Sequence, residues 1–188
     1  IGTANHGLDY YSQFEGKGIG VIKAGGNGTG SASNQLDFSE KIAIDNSGNL
    51  FIADYNNNRI QKWAPNSGSG ETIISGVINP IDVQIATNGD IFILETGKVT
   101  KWTASGVLIG VVSSGISSSP SGMFIDTNMN IFTTGYYDNS VYKSTALNPT
   151  AVKLIDNPGI NSIHFPEGIV SDATGNLYIS NRNGSIVK

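Results

Sequence analysis

The sequence LDFSEKIAIDNSGNLFIADYNNNRIQKW, residues Leu36–Trp63, decides the fold of this chain. It predicts a first strand over Lys41–Asp45, a second over Asn49–Asp54 and a third over Arg59–Trp63, joined by a tight turn and an Asn-rich loop. Glycine at position 48 suits the positive φ that such a turn requires. The second strand is apolar on both faces, so the unit needs neighbouring sheets on either side.

The second strand of this unit recurs three times along the chain. Its copies begin at Gly48, Gly89, Met129 and Gly175, which gives spacings of 41, 40 and 46 residues. A period in the low forties with four short strands per repeat is typical of a β-propeller blade. A single blade cannot bury both of its faces, so blades must stack. We therefore predict an all-β propeller with four visible blades, at about residues 36–76, 77–113, 118–156 and 164–188.

The two ends of the chain predict how the ring closes. Residues 1–17 form an N-terminal segment with a candidate remnant strand, and Gly18–Ala24 is a candidate outer strand without a blade of its own. The fourth blade stops after its third strand, so we expect Gly18–Ala24 to supply its outer strand. If the ring does not close in this way, that strand would complete a blade of another copy and produce an open-ended assembly. Because Ile1 is not a Met, we expect the chain to belong to a longer product.

The run from Ile42 to Trp63 resembles an NHL repeat, including the Asp54, Asn56 and Arg59 of its second-to-third-strand loop. The resemblance covers about residues 18–188 and implies a propeller with six blades in most complete family members. It is strongest in the first blade and weaker in the others. The corresponding loops of the later blades read Glu95-Thr96-Gly97-Lys98, Asp138-Asn139 without an Arg, and Asn181-Arg182-Asn183.

Composition excludes several classes of function. The net charge is −4, and the only arginines are Arg59 and Arg182. This charge balance is wrong for a surface that binds the phosphates of a nucleic acid, so we predict no nucleic-acid partner. The absence of cysteine excludes disulfides, Cys-ligated zinc and thiol catalysis. No run of about 18 apolar residues occurs, so we predict no membrane span. Charged residues make up only 14% of the chain, and its many small polar residues favour an extracellular or cell-surface location.

Residues suited to catalysis are sparse. The only histidines are His6 and His164, whereas propeller lyases similar to this family hold metal with several histidines on one face. Four carboxylates could meet near the propeller axis, as in propeller hydrolases, although nothing in their spacing marks a pair. They are Asp82, Glu95, Asp138 and Glu167. We therefore predict no enzyme, no catalytic residue, no metal site and no cofactor, with a metal-dependent hydrolase or lyase as a less favoured alternative.

Two polar patterns have a structural and a functional interpretation. Three turns between first and second strands pair an Asp with an Asn four residues later, as in Asp45 and Asn49, and such spacing resembles a calcium loop. The bidentate Glu of a calcium loop is missing, and these side chains commonly cap turns, which favours the turn interpretation. The set Asp54, Asn56 and Arg59 favours a hydrogen-bonded brace between two strands over a binding triad.

The loops between second and third strands carry the candidate binding residues, because exposed aromatic rings there would serve a partner. A ring folded back over the blade edge is the alternative for each tyrosine. The predicted binding residues are Tyr55, Asn56, Asn57, Tyr136, Tyr137, Asp138 and Arg182. Asn27 and Asn183 begin Asn-x-Ser/Thr sequons, which makes them candidate N-glycosylation sites on the same face.

These observations favour a non-enzymatic extracellular or surface module that binds a protein or a glycan. The alternative is a structural subunit of a fibre or coat, in which copies of the chain assemble by exchanging strands. RNA binding, known for some NHL proteins, is disfavoured by the charge balance.

Overall fold

The computed structural model describes residues 20–156 and 163–188, and the regular elements in these ranges are all β-strands. Blade 1 comprises β1 (Ser39–Ile44), β2 (Leu50–Asp54), β3 (Arg59–Trp63) and β4 (Glu71–Ser75). Blade 2 comprises β5 (Asp82–Ile85), β6 (Ile91–Glu95), β7 (Lys98–Trp102) and β8 (Leu108–Ser114). Blade 3 comprises β9 (Pro120–Ile125), β10 (Ile131–Gly135), β11 (Ser140–Thr145) and β12 (Asn148–Asp156). Blade 4 comprises β13 (Pro166–Ser171), β14 (Leu177–Asn181) and β15 (Ile186–Val187).

Each blade is an antiparallel meander in chain order, as the repeat predicts. The outer strands of blades 2 and 3 are also joined, through a parallel bridge between Ser114 and Thr150. The innermost strands β1, β5, β9 and β13 contact one another in sequence, so the four blades stack around a common axis. In the part of the chain that the structure describes, no helix is long and apolar enough to cross a bilayer.

Three hydrophobic clusters hold the blades together, one at each junction between neighbours. At the first junction Phe51 and Ile60 of blade 1 pack with Val83 and Ile93 of blade 2. Phe92 and Val99 of blade 2 then meet Met123 of blade 3, and Phe132 and Val141 of blade 3 meet Ile169 and Ile179 of blade 4. The same strand positions therefore supply the core at every junction, which explains why the second strands of the blades are apolar on both faces.

The N-terminal segment differs from its prediction. Residues 20–24 form no strand, so the outer strand predicted at Gly18–Ala24 is wrong over this part, while residues 18 and 19 and the candidate remnant strand in residues 1–17 lie outside the described residues. Gly25, Gly26 and Gly28 follow with positive φ values of 70°, 83° and 80°, which turn the chain away from an extended path. The segment continues along blade 1, where Thr29 forms a parallel bridge with Leu36. Within the described residues blade 4 therefore has three strands.

Candidate functional site

The last residue of the second strand anchors the connection that enters each blade. In three blades its side chain accepts a hydrogen bond from a backbone N–H located 17 residues earlier, and this common span follows from the repeat. We call this contact the connection brace. The braces are Asp37 N–H to Asp54 at 2.8 Å, Ile78 N–H to Glu95 at 2.9 Å, and His164 N–H to Asn181 at 3.1 Å.

Blade 3 achieves the same result with a different residue. Its brace position is Gly135, and the carboxylate of Asp138 occupies the space that a side chain at Gly135 would need. That carboxylate accepts a hydrogen bond from Ser117 Oγ of the incoming connection at 2.9 Å and another from the hydroxyl of Tyr142. Asp138, predicted as a binding residue, therefore lies where it stabilises the connection.

In blade 1 the brace extends into an ion pair. Arg59 Nε donates to Asp54 Oδ2 at 2.7 Å, and both side chains are closed off from solvent, as the brace interpretation predicts. Asn57, rather than Asn56, completes the set by donating to both oxygens of Asp54 at 3.0 and 3.1 Å. Asn56 instead donates to the Asp37 carboxylate at 2.9 Å. The guanidinium of Arg59 also reaches three carbonyl oxygens of the N-terminal segment, those of residues 31, 32 and 35.

An open basin of about 620 Å³ lies at the end of the blades where these braces are found. We call it the axial basin. Residues at two repeated positions of the blades line it. The first position directly follows the last residue of each second strand, where the connection brace is made. The second position lies four residues before the last residue of each innermost strand. The first set contributes Tyr55, Thr96 and Tyr136, and the second contributes Glu40, Ile81, Ser121 and Glu167. Lys41, Ser118, Ser119, Pro120 and Tyr137 complete the lining.

The lining of the axial basin is rich in hydroxyl groups. Seven of its twelve residues carry one, three carry a charge, and only Ile81 and Pro120 are apolar. Tyrosine rings offer flat apolar faces with a polar tip, while serine hydroxyls both donate and accept hydrogen bonds. The basin is therefore suited to a ligand that itself has many hydroxyl groups.

The tyrosines of the basin are held by ring contacts. Tyr136 lies edge-on to Tyr137 with ring centroids 4.9 Å apart, and it packs against Phe165 at 5.0 Å. Arg182 Nη1 donates to the Tyr136 hydroxyl at 2.7 Å, and this hydrogen bond raises the pKa of Arg182. Tyr137 is 73% exposed, so its ring is not folded back over the blade edge. Tyr55 is half-buried and packs edge-on to the exposed ring of Phe38.

The seven predicted binding residues thus separate into two groups. Tyr55, Tyr136 and Tyr137 line the basin, and Arg182 is bonded to one of them. The side chains of Asn56, Asn57 and Asp138 are used in holding loops. Sequence reasoning considered Glu167 near the axis but missed the other inner-strand residues of the lining, and the signal that identifies them is their fixed offset from the end of each innermost strand. Both sequon residues, Asn27 and Asn183, lie on the surface, and their glycosylation stays a prediction.

The four carboxylates considered for a catalytic centre have separate roles. Asp82 accepts the N–H groups of Val83 at 2.8 Å and Met123 at 3.0 Å, and burial raises its pKa to about 6 against these two hydrogen bonds. Glu95 and Asp138 serve as braces, and Glu167 alone among the four lines the basin. Within residues 20–156 and 163–188 no three Asp, Glu, Cys or His side chains are grouped to hold a metal ion.

The Asp–Asn pairs form turns. In all three, one oxygen of the Asp accepts two backbone N–H groups and the other accepts the side-chain amide of the Asn. In the last turn, hydrogen bonds from the side chains of Asn176 and Thr174 hold the pKa of Asp172 well below its ordinary value. The carboxylates face N–H donors, which is the arrangement of a capped turn rather than of a cation site.

Two sequence families match parts of the chain. The NHL repeat matches residues 40–63, and the N-terminal part of the strictosidine synthase-like family matches residues 151–188. No match was found among the curated proteins. With three four-stranded blades and a three-stranded fourth stacked around an axis in the described residues, the molecule is a β-propeller. Residues 40–63, in its first blade, match the NHL repeat.

Solved structures with the same fold have diverse roles. A streptogramin B lyase is 17% identical with a TM-score of 0.60, and the match covers 79% of this chain and 53% of that one. A nidogen/laminin complex is 16% identical with a TM-score of 0.58, covering 77% and 72%. The computationally designed Ika4 protein is 14% identical with a TM-score of 0.59, covering 89% and 96%. This chain spans about half the length of the lyase it matches, and at such identities the likeness concerns the fold.

Proposed function

We propose that this propeller is a non-enzymatic binding module that holds a glycan in the axial basin. The observation that carries the proposal is the convergence of Tyr55, Tyr136 and Tyr137 on one basin whose other walls are mostly hydroxyl-bearing. A sugar ring presents an apolar face that suits an aromatic ring, and its hydroxyls match the serine and carboxylate oxygens around it.

A protein ligand is the second candidate for the same basin. Exposed tyrosines are common at protein interfaces, and one of the fold neighbours is a nidogen/laminin complex. Protein hot spots, however, favour dry apolar pockets, whereas this lining has only two apolar residues. The hydroxyl-rich lining therefore favours the glycan.

The carboxylate arrangement supports binding without catalysis. A glycosidase requires two carboxyl groups flanking the bond that breaks. In the basin Glu40 and Glu167 come from the first and last of the four blades, while Asp82, the carboxyl with a pKa raised to about 6, is occupied by backbone N–H groups. The low charge and small polar residues of the chain fit a location outside the cell or on its surface.

The test is binding of the purified chain to an array of immobilised oligosaccharides, followed by titration of the best ligand in solution. Tyr137→Ala should weaken the binding about tenfold or more, because this ring is exposed and its removal leaves the fold intact. Tyr178→Ala is the matched control, since that tyrosine does not line the basin. Equal losses in both variants, or no binding by the wild type, would contradict the proposal. Recovery of a cleaved oligosaccharide would contradict its non-enzymatic part.

A further inference from the structure

A second cleft lies between blades 2 and 3, at the end of the strands opposite the axial basin. Its volume is about 330 Å³, and the turns that join the first strand to the second in these two blades form its rim. We call it the junction cleft. Ile85 and Phe92 of blade 2 face Ile125 and Met129 of blade 3 across it. Phe92 is 1% exposed and belongs to the hydrophobic cluster of this junction, so the cleft reaches down to the core.

Gln84 of the cleft departs from the repeat, and the other blades show what it replaces. It pairs with Phe92 across β5 and β6. The residues at this position in the other blades are all apolar, namely Ala43, Phe124 and Val170. The side-chain amide nitrogen of Gln84 donates to the backbone carbonyl of Met123 in blade 3, which leaves the amide oxygen to serve as an acceptor.

Ala86 is a second departure from the repeat. The other blades have an aspartate here that caps the turn, namely Asp45, Asp126 and Asp172. In blade 2 the turn is held instead by Asp90, which forms an ion pair with Lys101 at 2.8 Å and accepts a hydrogen bond from the Asn88 amide at 2.9 Å. The short side chain of Ala86 therefore leaves the cleft open on the blade 2 side.

Met129 is a third departure, on the blade 3 side. The equivalent turn residues of the other blades are Gly48, Gly89 and Gly175. Met129 shares their left-handed backbone, with a φ of 62°, although this region disfavours a side chain. Its side chain is 37% exposed and lines the cleft. Backbone strain of this kind is concentrated at sites where function needs the side chain that causes it.

The walls of the junction cleft suit a neutral aromatic ligand. Phe92 offers a ring, and the flexible thioether of Met129 packs favourably against aromatic rings. The charged residue of the lining, Asp126, already accepts two backbone N–H groups and the Asn130 amide. Lys101 lies 5.4 Å from the Phe92 ring centroid, but Asp90 balances its charge. A charged ligand would therefore lose its hydration without gaining a free counter-charge.

We propose that the junction cleft binds a small neutral aromatic molecule that donates a hydrogen bond to Gln84. Its volume lies at the lower end of the range for small-molecule pockets and suits a ligand of one or two rings. The proposal does not depend on the glycan ligand, since the axial basin lies at the other end of the strands.

Titration calorimetry of the full chain with indole, a two-ring molecule with one N–H donor, tests the proposal. One indole should bind per chain. Two related molecules should each bind at least about tenfold more weakly: 1-methylindole, which lacks the donor, and indole-3-acetate, which carries a charge. Absence of indole binding at millimolar concentration overturns the proposal, and so does equal binding of the three molecules.

Variants that restore the repeat locate the binding. Met129→Gly removes one wall and should weaken indole binding about tenfold or more, without lowering the urea midpoint, because glycine adopts this φ without strain. Ala86→Asp should weaken the binding as well, because it places a carboxylate at the cleft. Leu147→Ala is the matched control, since Leu147 is 98% exposed and does not line the cleft. Wild-type affinity in both Met129→Gly and Ala86→Asp overturns the assignment to this cleft.

A third variant tests the hydrogen bond. Gln84→Leu removes the acceptor while keeping an apolar side chain of the kind that the other blades have at this position. It should therefore bind indole and 1-methylindole with equal affinity. A preference for indole that persists in this variant overturns the role of Gln84.

Discussion

Asp54 at the end of β2 and Arg59 at the start of β3 form an ion pair of 2.7 Å, and this pair connects blade 1 to the N-terminal segment. One carboxylate receives the guanidinium, the Asn57 amide and the backbone N–H of Asp37. A single side chain thus organises the loop, the incoming connection and the arginine that holds residues 31–35.

Removal of this carboxylate should therefore be costly. Asp54→Ala leaves a buried guanidinium without its counter-charge, so we expect the free energy of unfolding to fall by about 3–5 kcal/mol. Urea denaturation at neutral pH measures the loss. Lys98→Ala is the control, because Lys98 lies 3.5 Å from Glu95 and its side chain is 39% exposed, and we expect it to cost less than about 1 kcal/mol. Comparable losses for the two variants would contradict the role assigned to Asp54.

Asp82 should make the stability of the protein depend on pH. Burial raises its folded-state pKa to about 6, above the ordinary value of 3.8, so the folded chain binds this proton more tightly than the unfolded chain. Stability from this group is therefore present below about pH 4 and is lost as the pH rises to about 6, by ~3 kcal/mol at most.

The variant Asp82→Asn isolates this effect because its side chain does not titrate. Its free energy of unfolding, relative to the wild type, should increase by about 1–3 kcal/mol between pH 4 and pH 7. Urea denaturation at several pH values measures the difference. A difference that is constant across this range would show that Asp82 titrates normally.

Gly122 should tolerate no side chain. A Cβ atom there would lie 2.6 Å from the carbonyl oxygen of Glu167 in the next blade and 3.3 Å from Thr134 Oγ1. We expect Gly122→Ala to lower the free energy of unfolding by about 1–3 kcal/mol, because two inner strands would have to separate. Gly68→Ala is the control, since no atom lies within 4 Å of its added Cβ, and its free energy of unfolding, measured in urea, should stay within about 0.5 kcal/mol of the wild type.

The sequence predicts the blades well because the residues that specify each blade lie close together in the chain. Apolar alternation and the turn at Gly48 specify the meander of blade 1, so β3 agrees with the predicted third strand to the residue. The path of residues 31–35 could not be predicted in this way, because it depends on contacts with distant residues, such as the hydrogen bond from Arg59 to the carbonyl of Ser31.

The binding loops show the same division. The tyrosine positions follow from the repeat, and three of them converge on the basin. The structural use of Asn57 and Asp138 could not be read from the sequence, since an amide or carboxylate in a loop has the same pattern whether it faces a ligand or a backbone N–H.

The connection brace holds the incoming connection without using the residue that follows the brace position, so that residue can differ from blade to blade. The residue immediately after the brace position is Tyr55, Thr96, Tyr136 or Arg182, four chemically different side chains on one repeated frame. Each is delivered to the same end of the molecule by a bond that does not involve it. Substitution of this one residue in each blade could therefore create a new binding surface on an unchanged scaffold.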